Sequence, residues 1–577
     1  MSASPSSLLA ESLTARLTDY DYRDPAVWIY KLSLAELSEF SVRATPDGAL
    51  AGLTFAIKDN IDLAGVPTTA ACPKFAYIPD TSAHVVAKLL AAGAIPAGKT
   101  NLDQFATGLV GTRSPYGAPR NVFNPNYISG GSSSGSAVAV AAGLVDFALG
   151  TDTAGSGRVP AAFNQIIGLK PTKGRLSTRG VVPACRSLDC VSIFSRDIAT
   201  AARVLSAAEG FDAADPFSRA PITTPGTEYL LPERPRLGVP NAEQLEWFGN
   251  GESPVLFAAA LERLRTLGAE IIEIDFAPFL EAARLLYEGP WTAERYAGLG
   301  AFIESHSISS EAALTAGLDL TVASIILGGK AASAADTFRA SYRLAELRRA
   351  ADTILVTIDA LVAPTAGTIY KISEIEDEQI KLNANLGRYN NFMNLLDLCG
   401  LTVPAGCYSY GPGFGITMIA PAWHDARLLA LGACYLGENI PLAAHTAETI
   451  TLAVCGAHLR GQPLNAQLIS LNARFLAATT TSPHYQLYAL ANTTPPKPGL
   501  VRISNNAIGA PIQVETYALT PEAFGRFVAA VPAPMVIGNI ELINKKSVKG
   551  FLCEPYALRN ANDITVLGGW SAYLQSQ

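Results

Sequence analysis

From about residue 50 the chain alternates short apolar runs of strand type with longer amphipathic segments of helical spacing. The pattern predicts a strand over residues 53–57, a helix over 84–94, and a strand and turn over 94–100. The apolar spacing over residues 255–271 and 335–361 predicts two further helices. This alternation is typical of an α/β fold, in which helices cover a mixed β-sheet.

The character of the chain changes between residues 440 and 480. Beyond that point it shows β-type alternation, Gly/Pro turns and one predicted helix over residues 521–531. We therefore predict two domains, a large α/β domain over residues 1–445 and a smaller α+β domain over residues 446–577. The Pro-rich stretch over residues 220–235 is predicted to be a surface connection.

The composition indicates a compact globular protein, because 49% of the 577 residues are hydrophobic and only 16% are charged. The net charge of −7 and the lack of a Lys/Arg run argue against nucleic acid as a partner. The overall field repels anions, so an anionic substrate would need a local cation.

Cysteine usage and the apolar runs predict where the protein works. The eight cysteines are scattered with no CxxC pair, which favours reduced thiols and a cytoplasmic location. No basic stretch followed by an apolar one opens the sequence, so no signal peptide is expected. The apolar run over residues 137–145 stops at Asp146, and no membrane span is expected.

Two serines lie on separate Gly/Ser-rich turns between Gly130 and Arg158, with an apolar segment of helical length between them. The small residues around Ser156 would let backbone N–H groups converge on the negative oxygen of a tetrahedral intermediate. Ser132 could relay a proton to Lys58, whose pKa burial would lower. Alone, such a turn is more often a linker or phosphate cradle, and a lone lysine more often forms a surface salt bridge. The ordered set favours a hydrolase.

Several neighbouring residues admit two interpretations from sequence alone. Asp59 would oppose the shift in the pKa of Lys58 if its carboxylate faced the ammonium, and its orientation stays open. Arg158 could bind an anion or brace its loop, and we favour the brace. Asp152 and Asp189 could shape the site or merely cap loops.

These residues resemble the amidase signature family, whose triad is a lysine, a serine that follows a cis peptide bond, and a nucleophilic serine. KDN carries Lys58, GGSSSG carries Ser132 and TAGSGR carries Ser156, at the family's offsets of 74 and 24 residues. The resemblance covers about residues 25–440. It implies the amidase-signature fold, a mixed β-sheet core with helices on both faces.

The resemblance also implies the surroundings of the triad. The bond between Gly131 and Ser132 would be cis, and Gly131 would contact the substrate. The oxyanion hole would be formed by the backbone N–H groups of Thr153, Ala154, Gly155 and Ser156. The mechanism would need no cofactor, and no histidine–carboxylate cluster has the spacing of a metal site.

The turn departs from the commonest family pattern at Ala154 and Gly157, and there it is similar to the allophanate hydrolase branch. SLDCVSIF (187–194) and LYEGPWTAERY (286–296) resemble the same branch. The second motif implies that Tyr287 and Arg295 grip a substrate carboxylate, for which the planar guanidinium is suited.

Helix geometry predicts where Tyr287 and Arg295 lie, and a simpler interpretation of Arg295 competes with carboxylate binding. Pro290 suits the first turn of a helix, which would put Arg295 in the second turn and Tyr287 just ahead of it. Alternatively, Arg295 forms a helix-surface ion pair with Glu294 or Glu288.

The carboxy-terminal segment, with GAHLRGQPLN, LYAL, PPKPGLVR and VKGFLCEPYAL, is similar to the γ-glutamyl cyclotransferase-like domain that accompanies allophanate hydrolases. It could assist the loss of CO2 from N-carboxycarbamate, with His484 as the candidate residue. A lone histidine is more often structural, so that interpretation stays beside it.

The resemblance implies hydrolysis of a small anionic amide, allophanate, to ammonia and CO2 by a homodimer. Allophanate would come from urea carboxylase or from biuret hydrolysis. Two alternatives stay open: an amidase of the same family acting on a malonamate-like amide, and an amidase-like component of a transamidation complex.

Overall fold

The computed structural model describes residues 5–220, 231–232, 234–438, 449–471, 473–491, 493–504 and 508–577. These residues divide into two compact units, the first ending at residue 438 and the second beginning at residue 449. The predicted domain boundary at 445/446 and most of the predicted connection over 220–235 lie outside the described residues.

A single mixed sheet of eleven strands forms the centre of the first unit, counted over its described residues. The strands are β1 Trp28–Lys31, β2 Thr54–Lys58, β3 Ile95–Thr100, β4 Phe147–Asp152, β5 Ile167–Lys170, β6 Cys190–Ser195, β7 Arg236–Pro240, β8 Glu270–Ile274, β9 Ala360–Pro364, β10 Leu398–Cys407 and β11 Gly413–Pro421. Their order across the sheet is β1-β3-β2-β4-β6-β5-β10-β11-β9-β7-β8.

Strand β2 is parallel to β3 and β4, and β7 is parallel to β8 and β9. The other pairings in this sheet are antiparallel. Every residue of β2 to β6 is buried, so both faces of the sheet are covered there. The predicted α/β class is confirmed.

Helices fill the connections between these strands. They are α1 Pro5–Asp21, α2 Leu34–Arg43, α3 His84–Ala91, α4 Ser134–Ala141, α5 Val159–Phe163, α6 Ile198–Ala208, α7 Ser253–Thr266, α8 Ala277–Glu288, α9 Trp291–His306, α10 Ser310–Thr315, α11 Leu320–Gly328, α12 Ala334–Leu355, α13 Ile372–Asp377, α14 Lys381–Gly387, α15 Phe392–Leu395 and α16 Asp425–Leu436. No helix in the described part of the chain is long and apolar enough to cross a membrane.

The predicted elements exist, but two predicted helices are too long. The strands and helix expected between residues 53 and 100 are confirmed as β2, α3 and β3. Helix α7 stops at Thr266 because Gly268 adopts φ +94°, and the apolar residues that follow enter β8. Likewise α12 stops at Leu355, ahead of β9. An apolar run at the end of a helix has the same pattern as a buried strand, so spacing alone could not separate them.

The second unit is the predicted α+β domain, with its own apolar core. Its elements are β12 Ile450–Val454, α17 Asn465–Ser470, β13 Arg474–Thr480, β14 Tyr485–Ala489, β15 Pro498–Arg502, β16 Gln513–Leu519, α18 Pro521–Ala529, β17 Met535–Glu541, β18 Ser547–Cys553, β19 Asn562–Asp563 and α19 Trp570–Gln575. They form a five-stranded sheet, β13-β16-β12-β18-β17, and a three-stranded sheet, β15-β14-β19. The cyclotransferase-like resemblance stays a prediction.

Candidate active site

The sheet topology brings three distant segments to one point. Lys58 is the last residue of β2, Ser132 lies just before α4, and Ser156 lies in the turn after β4. Because β2 and β4 are parallel neighbours, their carboxyl ends lie side by side. Helix α4 packs against both strands, so the turn at its start reaches the same edge.

The three side chains form a buried chain of hydrogen bonds. Lys58 Nζ lies 2.7 Å from Ser132 Oγ, and the Ser132 hydroxyl donates to Ser156 Oγ at 2.9 Å. Lys58 Nζ also donates to Thr151 Oγ1 at 2.7 Å. The peptide bond between Gly131 and Ser132 is cis. This arrangement can move a proton from Ser156 through Ser132 to Lys58.

Lys58 is fully buried, and desolvation lowers the pKa of its ammonium to about 7. Three buried aspartates oppose the shift, and the Arg295 guanidinium reinforces it; the aspartates are Asp103, Asp152 and Asp189. A substantial fraction of Lys58 is therefore neutral near pH 7 and can accept a proton.

Asp59 points away from this chain of hydrogen bonds, which settles the orientation that the sequence left open. Its carboxylate lies 3.1 Å from Lys99 Nζ and accepts from the N–H and the hydroxyl of Thr69. Asp59 and Lys99 are both fully buried. The carboxylate next to Lys58 in sequence thus neutralises a different lysine.

The turn that carries Ser156 presents unoccupied backbone donors. Among the described residues, no acceptor takes the N–H groups of Ala154, Gly155 or Ser156. Gly155 adopts φ +143°, and a Cβ there would lie 2.8 Å from the Cβ of Asn390. The turn therefore requires glycine at this position and leaves N–H groups available for an anionic oxygen.

Asp189 holds the start of this turn. Its carboxylate accepts from the Thr153 hydroxyl and from the N–H groups of Ala184 (2.9 Å) and Cys185 (3.1 Å). Burial raises the pKa of Asp189 to about 6. Asp189 therefore joins the turn of Ser156 to residues 184 and 185, so it shapes the site as well as capping a loop.

Arg158 braces the end of the same turn. Its guanidinium binds both oxygens of Asp152 at 2.8 and 2.9 Å, and it donates to Asn390 Oδ1 at 2.8 Å. Burial alone would raise the pKa of Asp152, but the Arg158 guanidinium, the Lys170 ammonium and the Gly157 N–H together lower the pKa of that carboxyl. Because all these groups are buried and paired, Arg158 braces the loop and is not available to bind an anion.

Arg295 is a buried cation that faces hydroxyls and no carboxylate. It donates from Nη1 to Thr107 Oγ1 at 2.9 Å and from Nη2 to the Tyr287 hydroxyl at 3.4 Å. It is only 2% exposed, and no described carboxylate lies within ion-pair distance. Glu294 instead accepts from the N–H and hydroxyl of Ser187, at 2.7 Å each. The surface ion-pair interpretation is therefore wrong.

A cavity of about 690 Å³ opens beside Tyr287 in the first unit. Arg113, Asn383, Arg388 and Asn391 also line it. Tyr287 connects this cavity to Arg295, which is not itself among the lining residues.

Comparison with known proteins agrees with this geometry. Residues 14–429 match the amidase family, and residues 450–575 match the allophanate hydrolase C-terminal domain. The chain belongs to the amidase family. It is an amidohydrolase, and its first unit has the amidase-signature fold.

Two similar proteins cover nearly all of this amidase. Urea amidolyase from Saccharomyces cerevisiae is 44% identical over 91% of the chain, which spans only 30% of that protein's length. A crystal structure of Kluyveromyces lactis allophanate hydrolase is 40% identical with a TM-score of 0.79, covering 99% of this chain and 97% of that one. A third relative, one component of the glutamyl-tRNA(Gln) amidotransferase of a Synechococcus strain, is 34% identical over 70% of this chain and 86% of that protein.

The amidase motif residues fall where the sequence predicted, with one difference around α9. The helix begins at Trp291, directly after Pro290, and Arg295 lies in its second turn. Tyr287 belongs to the last turn of α8, which the sequence analysis did not foresee. Two helix ends, joined by Gly289 and Pro290, therefore present the two side chains together.

Sequence reasoning missed two hydroxyls that contact the cations of this amidase. Thr151 contacts Lys58 across 93 residues, and Thr107 contacts Arg295 across 188 residues. Thr107 stands in no motif that the sequence analysis singled out, and Thr151 lies between Gly130 and Arg158 without a role assigned to it. The nearness of Thr151 to Ser156 along the chain was the only available signal.

In the second unit His458, and not His484, lines a cavity. A cavity of about 270 Å³ is lined by His458, Gln467 and Lys497, and His484 is not among its lining residues. His458 Nε2 lies 3.0 Å from Gln467 Oε1. Burial lowers the pKa of His458, and the Lys497 ammonium lowers it further although the bond to Gln467 acts the other way.

Proposed function

We propose that this amidase hydrolyses allophanate to ammonia and CO2. The observation that carries the proposal is Arg295, a buried cation without a carboxylate partner among the described residues. A buried charge without a counter-charge is unfavourable, so an anion bound there restores the balance. Allophanate brings a carboxylate one atom away from a primary amide carbonyl. The match to K. lactis allophanate hydrolase over 99% of the chain supports this substrate.

The triad would act in sequence. Neutral Lys58 takes the proton of Ser132 as Ser132 takes that of Ser156, and Ser156 Oγ attacks the amide carbonyl carbon. The proton returns to the amide nitrogen, the C–N bond breaks, and ammonia leaves an acyl ester on Ser156. Water then attacks the ester by the same proton path and releases N-carboxycarbamate.

The negative oxygen of each tetrahedral intermediate would be held by the N–H groups of Thr153, Ala154, Gly155 and Ser156. These donors are preorganised by the Arg158 and Asp189 anchors at the two ends of the turn. Preorganised donors are often the largest single contribution to catalysis, with roughly 3 kcal/mol lost for each one removed.

Substrate orientation would come from both ends of the molecule. Arg295 and Tyr287 grip the carboxylate. The N–H of Gly131 already donates to the Leu109 carbonyl at 2.8 Å, so we assign its own carbonyl oxygen to the substrate's amide N–H.

The second unit would assist the loss of CO2 from N-carboxycarbamate. In this step a C–N bond breaks, CO2 leaves and the nitrogen takes a proton, which leaves carbamate to decay to ammonia and a second CO2. Lys497 supplies a cation for the remaining carboxylate, beside a neutral His458. We therefore transfer the proposed role from His484 to His458.

The cellular setting is proposed from the relatives of this amidase. Relatives called urea amidolyase favour carboxylation of urea, over biuret, as the source of allophanate. We retain the homodimer and the cytoplasmic location as proposals. A role in transamidation is disfavoured because the amidotransferase relative covers 70% of the chain, whereas the allophanate hydrolase covers 99%.

Ser156→Ala tests the proposed reaction. The wild-type chain is expected to release both ammonia molecules of allophanate, and Ser156→Ala none above background, because no acyl ester can form. Ammonia is measured by a coupled dehydrogenase assay. Ser136→Ala, which changes another buried serine, serves as the control and should retain turnover. Turnover by Ser156→Ala would contradict the assignment of the nucleophile.

Arg295→Met tests the carboxylate clamp. The substitution is expected to lower kcat/KM for allophanate by roughly 100-fold, because a buried charge pair loses one member. Hydrolysis of propionamide, which has no carboxylate, should change by no more than a few fold. Arg339→Met changes an arginine that is 75% exposed and should alter neither rate. Equal losses on both amides would show that Arg295 acts through the fold or through the pKa of Lys58, and not on the carboxylate.

His458→Ala and His484→Ala, made in the full chain, separate the two histidines. We expect His458→Ala to release the first ammonia at the normal rate while CO2 and the second ammonia lag, with a slowing of at least about tenfold. His484→Ala should resemble wild type. Stopped-flow detection of CO2 alongside ammonia gives both rates. A lag in His484→Ala alone would restore the original assignment.

A further inference from the structure

Residues 105–108 form a tightly held loop between the nucleophile and the anion clamp, called here the 105–108 loop. Phe105 and Ala106 adopt φ of +51° and +53°, in the left-handed region that disfavours residues with a Cβ. Both are buried, as is Thr107. Two consecutive residues of this kind persist only where the surroundings enforce them, and such backbone clusters at functional sites.

The surroundings of the 105–108 loop hold it from several sides. The Phe105 N–H donates to the Ala70 carbonyl at 3.0 Å, and the Thr107 N–H donates to the Gln104 carbonyl at 3.0 Å. The Thr107 carbonyl accepts from Arg113 Nη1 at 3.0 Å. Gln104 is itself tied by its side-chain amide to the Ala71 carbonyl at 2.7 Å. The loop therefore has little freedom to shift.

Two consecutive residues of the loop face the two ends of the site. Thr107 Oγ1 accepts from Arg295 Nη1 at 2.9 Å. The next carbonyl, that of Gly108, lies 3.5 Å from Ser156 Oγ. The peptide unit that joins Thr107 to Gly108 therefore links the Arg295 guanidinium to Ser156 and sets the distance between them.

The Thr107 hydroxyl orients the guanidinium without neutralising it. It donates to the Phe105 carbonyl at 3.2 Å, so its oxygen is left to accept from Arg295. Arg295 uses one further donor toward the Tyr287 hydroxyl. A guanidinium has five N–H donors, so enough remain for a carboxylate.

We propose that Thr107 is a positioning residue that selects substrates by length. By fixing Arg295 relative to Ser156, it restricts turnover to amides with a single atom between the carboxylate and the scissile carbonyl. Allophanate and malonamate meet this condition, whereas oxamate has no such atom and succinamate has two. The inference rests on the proposed function and adds to it the residue that determines which substrate length is accepted.

Thr107→Val removes the hydroxyl and keeps the shape of the side chain. With stable malonamate as the probe, we expect KM to rise by about tenfold, as for a lost hydrogen bond to a charged group, while kcat changes less than threefold. The kcat/KM preference for malonamate over succinamate should fall about fivefold or more. Thr107→Ser restores the hydroxyl and should restore both values. Thr107→Ala provides the same test if the valine variant does not fold.

A double-mutant cycle tests whether Thr107 acts through Arg295. In an Arg295→Met background, Thr107→Val should have no further effect on KM or on the length preference, because the group that it positions is gone. Additive losses, or an unchanged preference in Thr107→Val with wild-type activity intact, would overturn the inference and leave the proposed function standing. Failure of the wild-type chain to hydrolyse allophanate and malonamate would overturn both.

Discussion

The complete burial of Lys58 at the carboxyl end of β2 is the constraint on which the site depends. A lysine in water is charged at neutral pH and cannot act as a base. Burial here makes the neutral form accessible, and hydrogen bonds to Ser132 and Thr151 fix where that neutral nitrogen lies. In the proposed mechanism the serine relay has a proton acceptor only because the sheet and α4 exclude water from this point.

The surrounding charges are arranged so that this burial is not undone. An unpaired carboxylate next to Lys58 would stabilise its ammonium, yet Asp59 is held by Lys99. Asp152 is paired with Arg158, and desolvation outweighs the attraction that Asp152 and the other buried aspartates still exert on Lys58. Arg295 is also buried, but it stays charged, because a guanidinium does not lose its proton in proteins. In the proposed function two buried basic residues therefore serve different chemistry: Lys58 becomes the base, and Arg295 stays charged and binds the substrate carboxylate.

The triad was predictable from local motifs, whereas the contacts between distant parts of the chain were not. Lys58, Ser132 and Ser156 stand in short patterns with family offsets, and the elements around them follow from apolar spacing. Thr107 carries no such pattern, because its role arises from a left-handed loop that only tertiary packing enforces. The predicted helix ends were wrong for the same kind of reason, since the apolar residues after α7 pair with β7 as strand β8 and do not continue the helix.

The most direct test of this account is the pKa of Lys58, followed by NMR of the ε-carbon in protein labelled with ¹³C-lysine, with Lys58→Met used for assignment. The account predicts a titration centred at about pH 7 for this lysine, well below the roughly 10.4 of an exposed lysine. A midpoint near the exposed value would mean that Lys58 is charged at neutral pH and would contradict its role as the base.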